Sequence, residues 1–350
     1  MSKQPSAVLR GHVSDVTCLR FHKPSGKLYS GDMDGQVIEW DINTRRSAYL
    51  FTNAHTMNVL QIQSIDNTQD SFLCTQGREG DLKCWDVEKR AAIQSIHYIT
   101  PFETQQLSFC KFATSGSLAS LPHSKNIIAL YDINRTKAES SSLIDPDNKT
   151  SSSFNGTSRG MLMSLFFYSI NGSLHLICGM ENGQTLLYDL RNTNEPVYTL
   201  NPPENKSKPE DDEFDLLTGQ SSSGDPILSL AVHDKKIITG TTGSSICMYS
   251  NAGNSWSVKQ VPLSQPGVGD MVVAQDYPDK IVSRLLCTAG WDHRVRIYDV
   301  KKNKPLTVFK YHTNTVNCVD IRYGGVPLLA SGSKDCRIAL WSLDFKEKSK

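Results

Sequence analysis

One unit of about 40–45 residues recurs along this chain of 350, and a period of that size specifies a stacked repeat architecture. In the first copy Gly11-His12 precedes an alternating run, Val16-Thr17-Cys18-Leu19-Arg20-Phe21. Leu28-Tyr29-Ser30-Gly31 follows, then a tight turn at Asp34-Gly35, then Val37-Ile38-Glu39-Trp40-Asp41. Alternation of period two, punctuated by Gly, Asp, Asn and Ser, reads as short β-strands joined by tight turns. The second copy runs from Ala54-His55 to Cys84-Trp85-Asp86. A degenerate third copy ends at Tyr131-Asp132, a fourth at Tyr188-Asp189 and a weak fifth at Tyr249. Two clear ones close the series, ending at Val295-Arg296-Ile297-Tyr298-Asp299 and at Ile338-Ala339-Leu340-Trp341-Ser342.

Such a unit resembles a WD40 blade, and seven of them predict an all-β, seven-bladed β-propeller occupying residues 1–350 as one domain. Each Trp-Asp is followed by a fourth strand, such as Ala48-Tyr49-Leu50-Phe51, but only Ser342-Leu343-Asp344-Phe345 and a charged tail follow Trp341. Ser6-Ala7-Val8-Leu9 stands before His12 as Leu306-Thr307-Val308-Phe309 stands before His312. The N-terminal strand is therefore expected to pair with the last blade and close the ring, removing open sheet edges. Two segments break the rhythm, the Ser-rich 137–158 and the acidic 201–225, and by composition both read as disordered loop inserts.

The motif residues have structural work to do. Polar groups buried between blades need partners. The expected sets are His12, Ser30, Asp34 and Trp40 in the first blade and His312, Ser331, Asp335 and Trp341 in the seventh. His55, Trp85 and Asp292 occupy matching places. No P-loop, no dinucleotide fingerprint, no His-Glu-x-x-His and no nucleophile elbow is present, and the nine cysteines are scattered singly. The sequence therefore nominates no catalytic residue, no cofactor and no metal site, and indicates a protein that is not an enzyme. A formal net charge of +1 gives no global field toward nucleic acid or membrane, and no apolar run is long enough to span a bilayer. The function left is a protein-binding surface. The turns between second and third strands gather on one face and would present Met33, Arg78, Trp291, Arg294, Lys334 and Arg337. Trp and Arg are the residues most enriched in binding hot spots. Phe214, set among acids with Leu216 and Leu217, reads as a second candidate, a short docking motif.

Several stretches narrow the family. Pro266-Gly267-Val268-Gly269, Thr288-Ala289-Gly290-Trp291-Asp292-His293-Arg294-Val295-Arg296 and the run from Ala330 to Leu343 resemble the guanine nucleotide-binding protein subunit beta-like protein 1 family and its fungal ASTRA-associated relatives. Thr44-Arg45-Arg46 and Gln76-Gly77-Arg78 also fit. A G-protein β subunit proper has a long N-terminal helix, whereas the first strand here is expected near Ser6. The resemblance implies a scaffold for the Tel-type co-chaperone complex and its AAA+ ATPases, with phosphatidylinositol-kinase-related kinases as clients. It also implies a nuclear and cytoplasmic location and a monomer within a larger complex, and it transfers no catalytic residue. An alternative is a substrate receptor of a cullin-type ubiquitin ligase, marked by Trp-Asp-x-Arg. Tyr188-Asp189-Leu190-Arg191 nearly matches that motif, while Trp40-Asp41-Ile42-Asn43 and Trp85-Asp86-Val87-Glu88 fail at the last position.

Overall fold

Seven antiparallel sheets of four strands each make up the protein in a computed structural model. It describes residues 3–343 except 67–70, 99–107, 124–125, 135–139, 148–158, 171, 204–223, 254, 275–276 and 323–325. Blade 1 contains β2 (Val16–Phe21), β3 (Leu28–Asp32), β4 (Val37–Asp41) and β5 (Arg46–Phe51). Blade 2 contains β6 (Val59–Asp66), β7 (Ser71–Gly77), β8 (Asp81–Asp86) and β9 (Ala91–His97). Blade 3 contains β10 (Ala113–Ser115), β11 (Leu118–Pro122), β12 (Ile128–Asp132) and β13 (Ser142–Ile144). Blade 4 has β14 (Leu162–Ile170), β15 (Ser173–Met180), β16 (Thr185–Asp189) and β17 (Tyr198–Leu200). Blade 5 has β18 (Ile227–His233), β19 (Lys236–Thr241), β20 (Ser245–Asn251) and β21 (Trp256–Pro262). Blade 6 has β22 (Val268–Val273), β23 (Leu285–Gly290), β24 (Arg294–Asp299) and β25 (Lys304–Lys310). Blade 7 has β26 (Val316–Arg322), β27 (Leu328–Ser333) and β28 (Arg337–Ser342), and its outer strand is β1 (Ala7–Arg10).

The expected closure is present: Ala7 to Arg10 pair antiparallel with Leu340 to Arg337, and the Ser6 N–H donates to the Leu340 carbonyl at 2.7 Å. The first strands of the blades contact one another in sequence, with β26 returning to β2, so the ring has no gap. One expectation is corrected. Residues 142–144 lie inside the segment read as a loop insert, yet they form the outer strand of blade 3, paired with Leu130 to Ile128. Three residues suffice because the blade's inner strands already hold the register. Residues 137–139 and 148–158 of that insert, and 204–223 of the stretch 201–225, lie outside the described residues.

A repeated device sets the spacing between blades. In six of the seven, the first strand carries a bulge near its start, at Val16/Cys18, Val59/Gln61, Leu162/Ser164, Ile227/Ser229, Val268/Asp270 and Val316/Cys318. A bulge bends the strand and re-aims side chains. Here it turns a polar side chain toward the carbonyl that opens the next blade's bulge. Asn317 Nδ2 donates to Val16 O at 2.8 Å, Thr17 Oγ1 to Val59 O at 2.5 Å and Ser164 Oγ to Ile227 O at 2.8 Å. The glycine of the Ser-Gly pair makes room for this approach. A Cβ on Gly31 would stand 2.6 Å from Val59 Cβ, and one on Gly332 2.6 Å from Val16 Cγ1. The apolar clusters accordingly lie between sheets: Leu19, Phe21 and Trp40 of blade 1 pack with Cys318, Ala330 and Leu340 of blade 7.

Candidate protein-interaction face

The buried polar sets fix the turns that carry the surface. In blade 7 the sequence reading holds in full. His312 Nδ1 is 2.9 Å from Asp335 Oδ2 and its Nε2 is 2.8 Å from Ser331 Oγ, to which the Trp341 indole donates at 3.0 Å. Burial pushes the Asp335 carboxyl up, but His312 and the backbone N–H groups of Thr313 and Arg337 outweigh it, so its pKa lies below the usual carboxylate value.

In blade 1 the expectation for Asp34 is wrong. His12 Nδ1 lies 2.7 Å from Asp32 Oδ2, its Nε2 2.6 Å from Ser30 Oγ, and Trp40 donates to Ser30 at 2.7 Å. Asp34 is exposed. Counting back from the terminal Trp, Asp32 stands where blade 7 has Ser333. A carboxylate at that place reaches the His first, and Asp34 is left at the turn tip. Blade 2 solves the problem differently: His55 meets Glu79 Oε1 at 2.6 Å and Thr75 Oγ1 at 2.8 Å, and Trp85 donates to Thr75 at 2.9 Å. The longer glutamate fits because Gly77 has no Cβ, which would lie 2.2 Å from Glu79 Oε2. The Glu79 carboxylate thus belongs to the buried network of the turn. Blade 6 has no such His, and Asp292 is held by Arg296, whose two terminal nitrogens reach its carboxylate oxygens at 2.8 and 2.6 Å.

These networks place the turn tips on one face. Just past the second strand of blades 1, 2, 6 and 7 the tip N–H donates to the loop entering the same blade: Met33 to Asp15 O, Arg78 to Asn58 O, Trp291 to Gly267 O and Lys334 to Thr315 O. Met33 is 44% exposed and Trp291 42%. Lys334 is exposed, and Arg294 and Arg337 are half-buried. The Trp291 indole covers Gly267, whose φ is +94° and where a Cβ would stand 2.3 Å from the ring. One side of the indole is thus seated and the other is open. Arg78 lies over the Phe109 ring, its guanidinium carbon 4.1 Å from the centroid. Phe214 lies outside the described residues.

Sequence reasoning missed much of the face's apolar character. Val13, Met57, Phe109 and Met161 are exposed in the loops entering blades 1 to 4. With Met33 and Trp291 they form an arc round the rim. No periodicity marks such residues, because loops have none. Inside the ring an axial channel of about 400 Å³ is lined by Lys111, Asp270, Arg20 and Phe21 among others. Lys111 Nζ stands 3.5 Å from Asp270 Oδ1, and Arg20 lies 3.4 Å from the buried Asp320, whose carboxyl burial pushes up. Arg20 and Lys111 are thus each matched by a carboxylate. Among the described residues no three His, Cys, Asp or Glu side chains converge as a metal site would require.

The fold and the repeated turn networks define a WD-repeat β-propeller, a class whose members are typically non-catalytic scaffolds. The WD domain, G-beta repeat, matches at residues 3–41 and 303–342, the stretches that meet in the closing blade. Along nearly its full length the chain is similar to guanine nucleotide-binding protein subunit beta-like protein 1 of Mus musculus, 27% identical over 97% of this chain and 96% of the mouse protein. It is likewise similar to ASTRA-associated protein 1 of Schizosaccharomyces japonicus, at 26% identity over 97% of this chain and 98% of that one. The Schizosaccharomyces pombe protein of the same name is 25% identical over the same shares. The beta-like protein 1 and ASTRA-associated proteins are thus homologues of this chain, as its motifs in blades 6 and 7 indicated.

Proposed function

We propose that the protein is a non-catalytic WD-repeat scaffold that joins an ASTRA-type assembly. In that role it supports the Tel-type co-chaperone and AAA+ ATPase machinery that matures phosphatidylinositol-kinase-related kinases, in nucleus and cytoplasm. The observation that supports it most is similarity to ASTRA-associated proteins over 97% of the chain. The physical support is the turn face, where an open indole, neighbouring guanidinium groups and an apolar arc provide what a protein-binding hot spot needs. An exposed apolar rim on such a ring marks a binding site.

Affinity purification of the full chain followed by mass spectrometry tests the reading. The wild type is expected to recover co-chaperone subunits, and the Trp291→Ala, Arg294→Ala, Arg337→Ala triple variant to recover several-fold less. Normal recovery by the triple variant moves docking away from this face, and recovery of a cullin adaptor in place of the co-chaperone replaces the reading with the ligase-receptor one. The ligase motif has a counterpart in the exposed Arg191, whose Nε lies 3.0 and 3.1 Å from the two Asp189 carboxylate oxygens.

A further inference from the structure

In an antiparallel pair, residues directly opposite each other project from the same side of the sheet, and like charges there repel. At the turn-face end of the third and outer strands, blades 2, 4, 5, 6 and 7 each bring together a matched pair of positions. Blade 2 fills them with Asp81 and His97, which pair through His97 Nδ1 and Asp81 Oδ1. Blade 4 fills them with Gln184 and Asn201, hydrogen-bonded at 2.9 Å, and blade 5 with Ser245 and Pro262. Blades 6 and 7 do the opposite. Arg294 stands across from Lys310, and Arg337 across from Arg10. Arg10, Lys310 and Lys334 are exposed. Among the described residues the only side-chain ion pair in the group is Arg294 Nε to Asp292 Oδ2 at 3.8 Å, and that oxygen is already held by Arg296 at 2.6 Å.

Two adjacent blades thus concentrate five cations where the fold elsewhere accepts neutral or complementary pairs. The backbone links them into one surface. Thr315 Oγ1 donates to the Trp291 carbonyl at 3.4 Å, and Lys334 N–H donates to the Thr315 carbonyl at 2.9 Å. The half-open Trp291 indole stands at the inner side of this surface. From this juxtaposition we infer that blades 6 and 7 form the docking site for an acidic protein segment carrying an aromatic or aliphatic anchor. The carboxylates meet Arg10, Arg294, Lys310 and Arg337, and the anchor covers the open side of Trp291. Charge-assisted guanidinium–carboxylate bonds suit this occupant. The basic patch is short and bordered by Asp292 and Asp335, which disfavours a nucleic-acid backbone, since that requires a longer cationic track. The inference rests on reading the turn face as the docking face, and names the chemistry of the partner there.

The test uses the full chain and a fluorescein-labelled synthetic peptide in which glutamates flank a central Phe and Leu. Saturable binding that weakens steeply with salt is expected. The Arg10→Gln, Lys310→Gln double variant is expected to bind roughly tenfold more weakly or worse, with a melting temperature equal to or above that of the wild type, because it removes two repulsions. A purely structural role for these cations would instead lower the melting temperature. A peptide with Gln in place of Glu, or Ala in place of Phe and Leu, is expected to lose most of the affinity. Unchanged binding by the double variant overturns the inference. So does a phosphopeptide or a single-stranded oligonucleotide that binds more tightly than the acidic peptide. Co-chaperone capture by the wild type is read separately. If it fails while the peptide still binds through these cations, the proposed function falls and this inference stands.

Discussion

The His12 imidazole is held between Asp32 and Ser30, with Nδ1 2.7 Å from the carboxylate and Nε2 2.6 Å from the hydroxyl. Asp32 also accepts the backbone N–H groups of Asp34 at 3.1 Å and Gln36 at 2.9 Å, so one carboxylate orders the whole β3–β4 turn. Asp32→Ala is expected to cost about 1–3 kcal/mol by leaving buried donors unmet. Asp34→Ala is expected to stay within about 0.5 kcal/mol of the parent, as exposed substitutions do. Urea unfolding of the two variants side by side checks this; equal losses would return Asp34 to the network.

Ring closure gives a second expectation. Deleting residues 1–10 exposes the β28 edge and uncovers Ile338, Leu340 and Trp40, which pack with Leu9, an aggregation-prone state. The truncated protein is expected to melt at lower temperature and to precipitate on concentration. A melting temperature unchanged by the deletion would show that β1 contributes nothing.

The dependence on pH follows from four carboxyls. Glu39 is fully buried and accepts from Lys27 Nζ at 2.9 Å, Tyr29 Oη at 2.8 Å and Arg90 at 3.1 Å. Burial raises its pKa, but these partners outweigh burial and hold it below the ordinary value. Glu79, Asp292 and Asp335 are lowered in the same way by His55, Arg296 and His312 against the cost of burial. A group whose folded pKa is depressed contributes stability above its unfolded pKa and loses it as pH falls through the folded one. Stability is therefore expected to be full at neutral pH and to decline once pH drops below the usual carboxylate range of about 4. Glu39→Gln is expected to cost about 1–3 kcal/mol at pH 7 and to flatten that decline. Denaturant midpoints measured from pH 7 to pH 3 decide it, and parallel curves for mutant and parent would count against the Glu39 assignment.

Gly267→Ala tests the seating of Trp291 without touching the indole itself. The substitution meets both a left-handed φ of +94° and the ring 2.3 Å away, so it is expected to cost about 1–3 kcal/mol and to displace the indole. A red-shifted Trp emission should accompany it. Emission and stability both equal to the parent would mean that the ring is not seated on Gly267.

Much of this architecture was legible before any coordinates. The blade count, the closing strand and the blade 7 network follow from residue order, because Gly-His, Ser-Gly and Trp each answer a local geometric demand. Asp32 escaped because two carboxylates lie within reach of one His, and only the geometry decides which one binds. Arg296 escaped because a repeat without its His leaves no template for a substitute. The cation pairs across Arg10–Arg337 and Arg294–Lys310 join residues far apart or unremarkable in sequence. Their meaning depends on register, which a single sequence does not display.

The seam of blade 7 has a consequence for biosynthesis. Ser6 finds its partner Leu340 across 334 residues, so the ring's own first strand to be made pairs with the ring's last. At about 5–20 residues per second, that interval is roughly 15–70 s. Throughout it the nascent chain is an arc with two raw edges, one of them waiting for a strand not yet made. A scaffold of this kind is itself a demanding client during translation, and any ribosome that stops early releases a product that cannot shut.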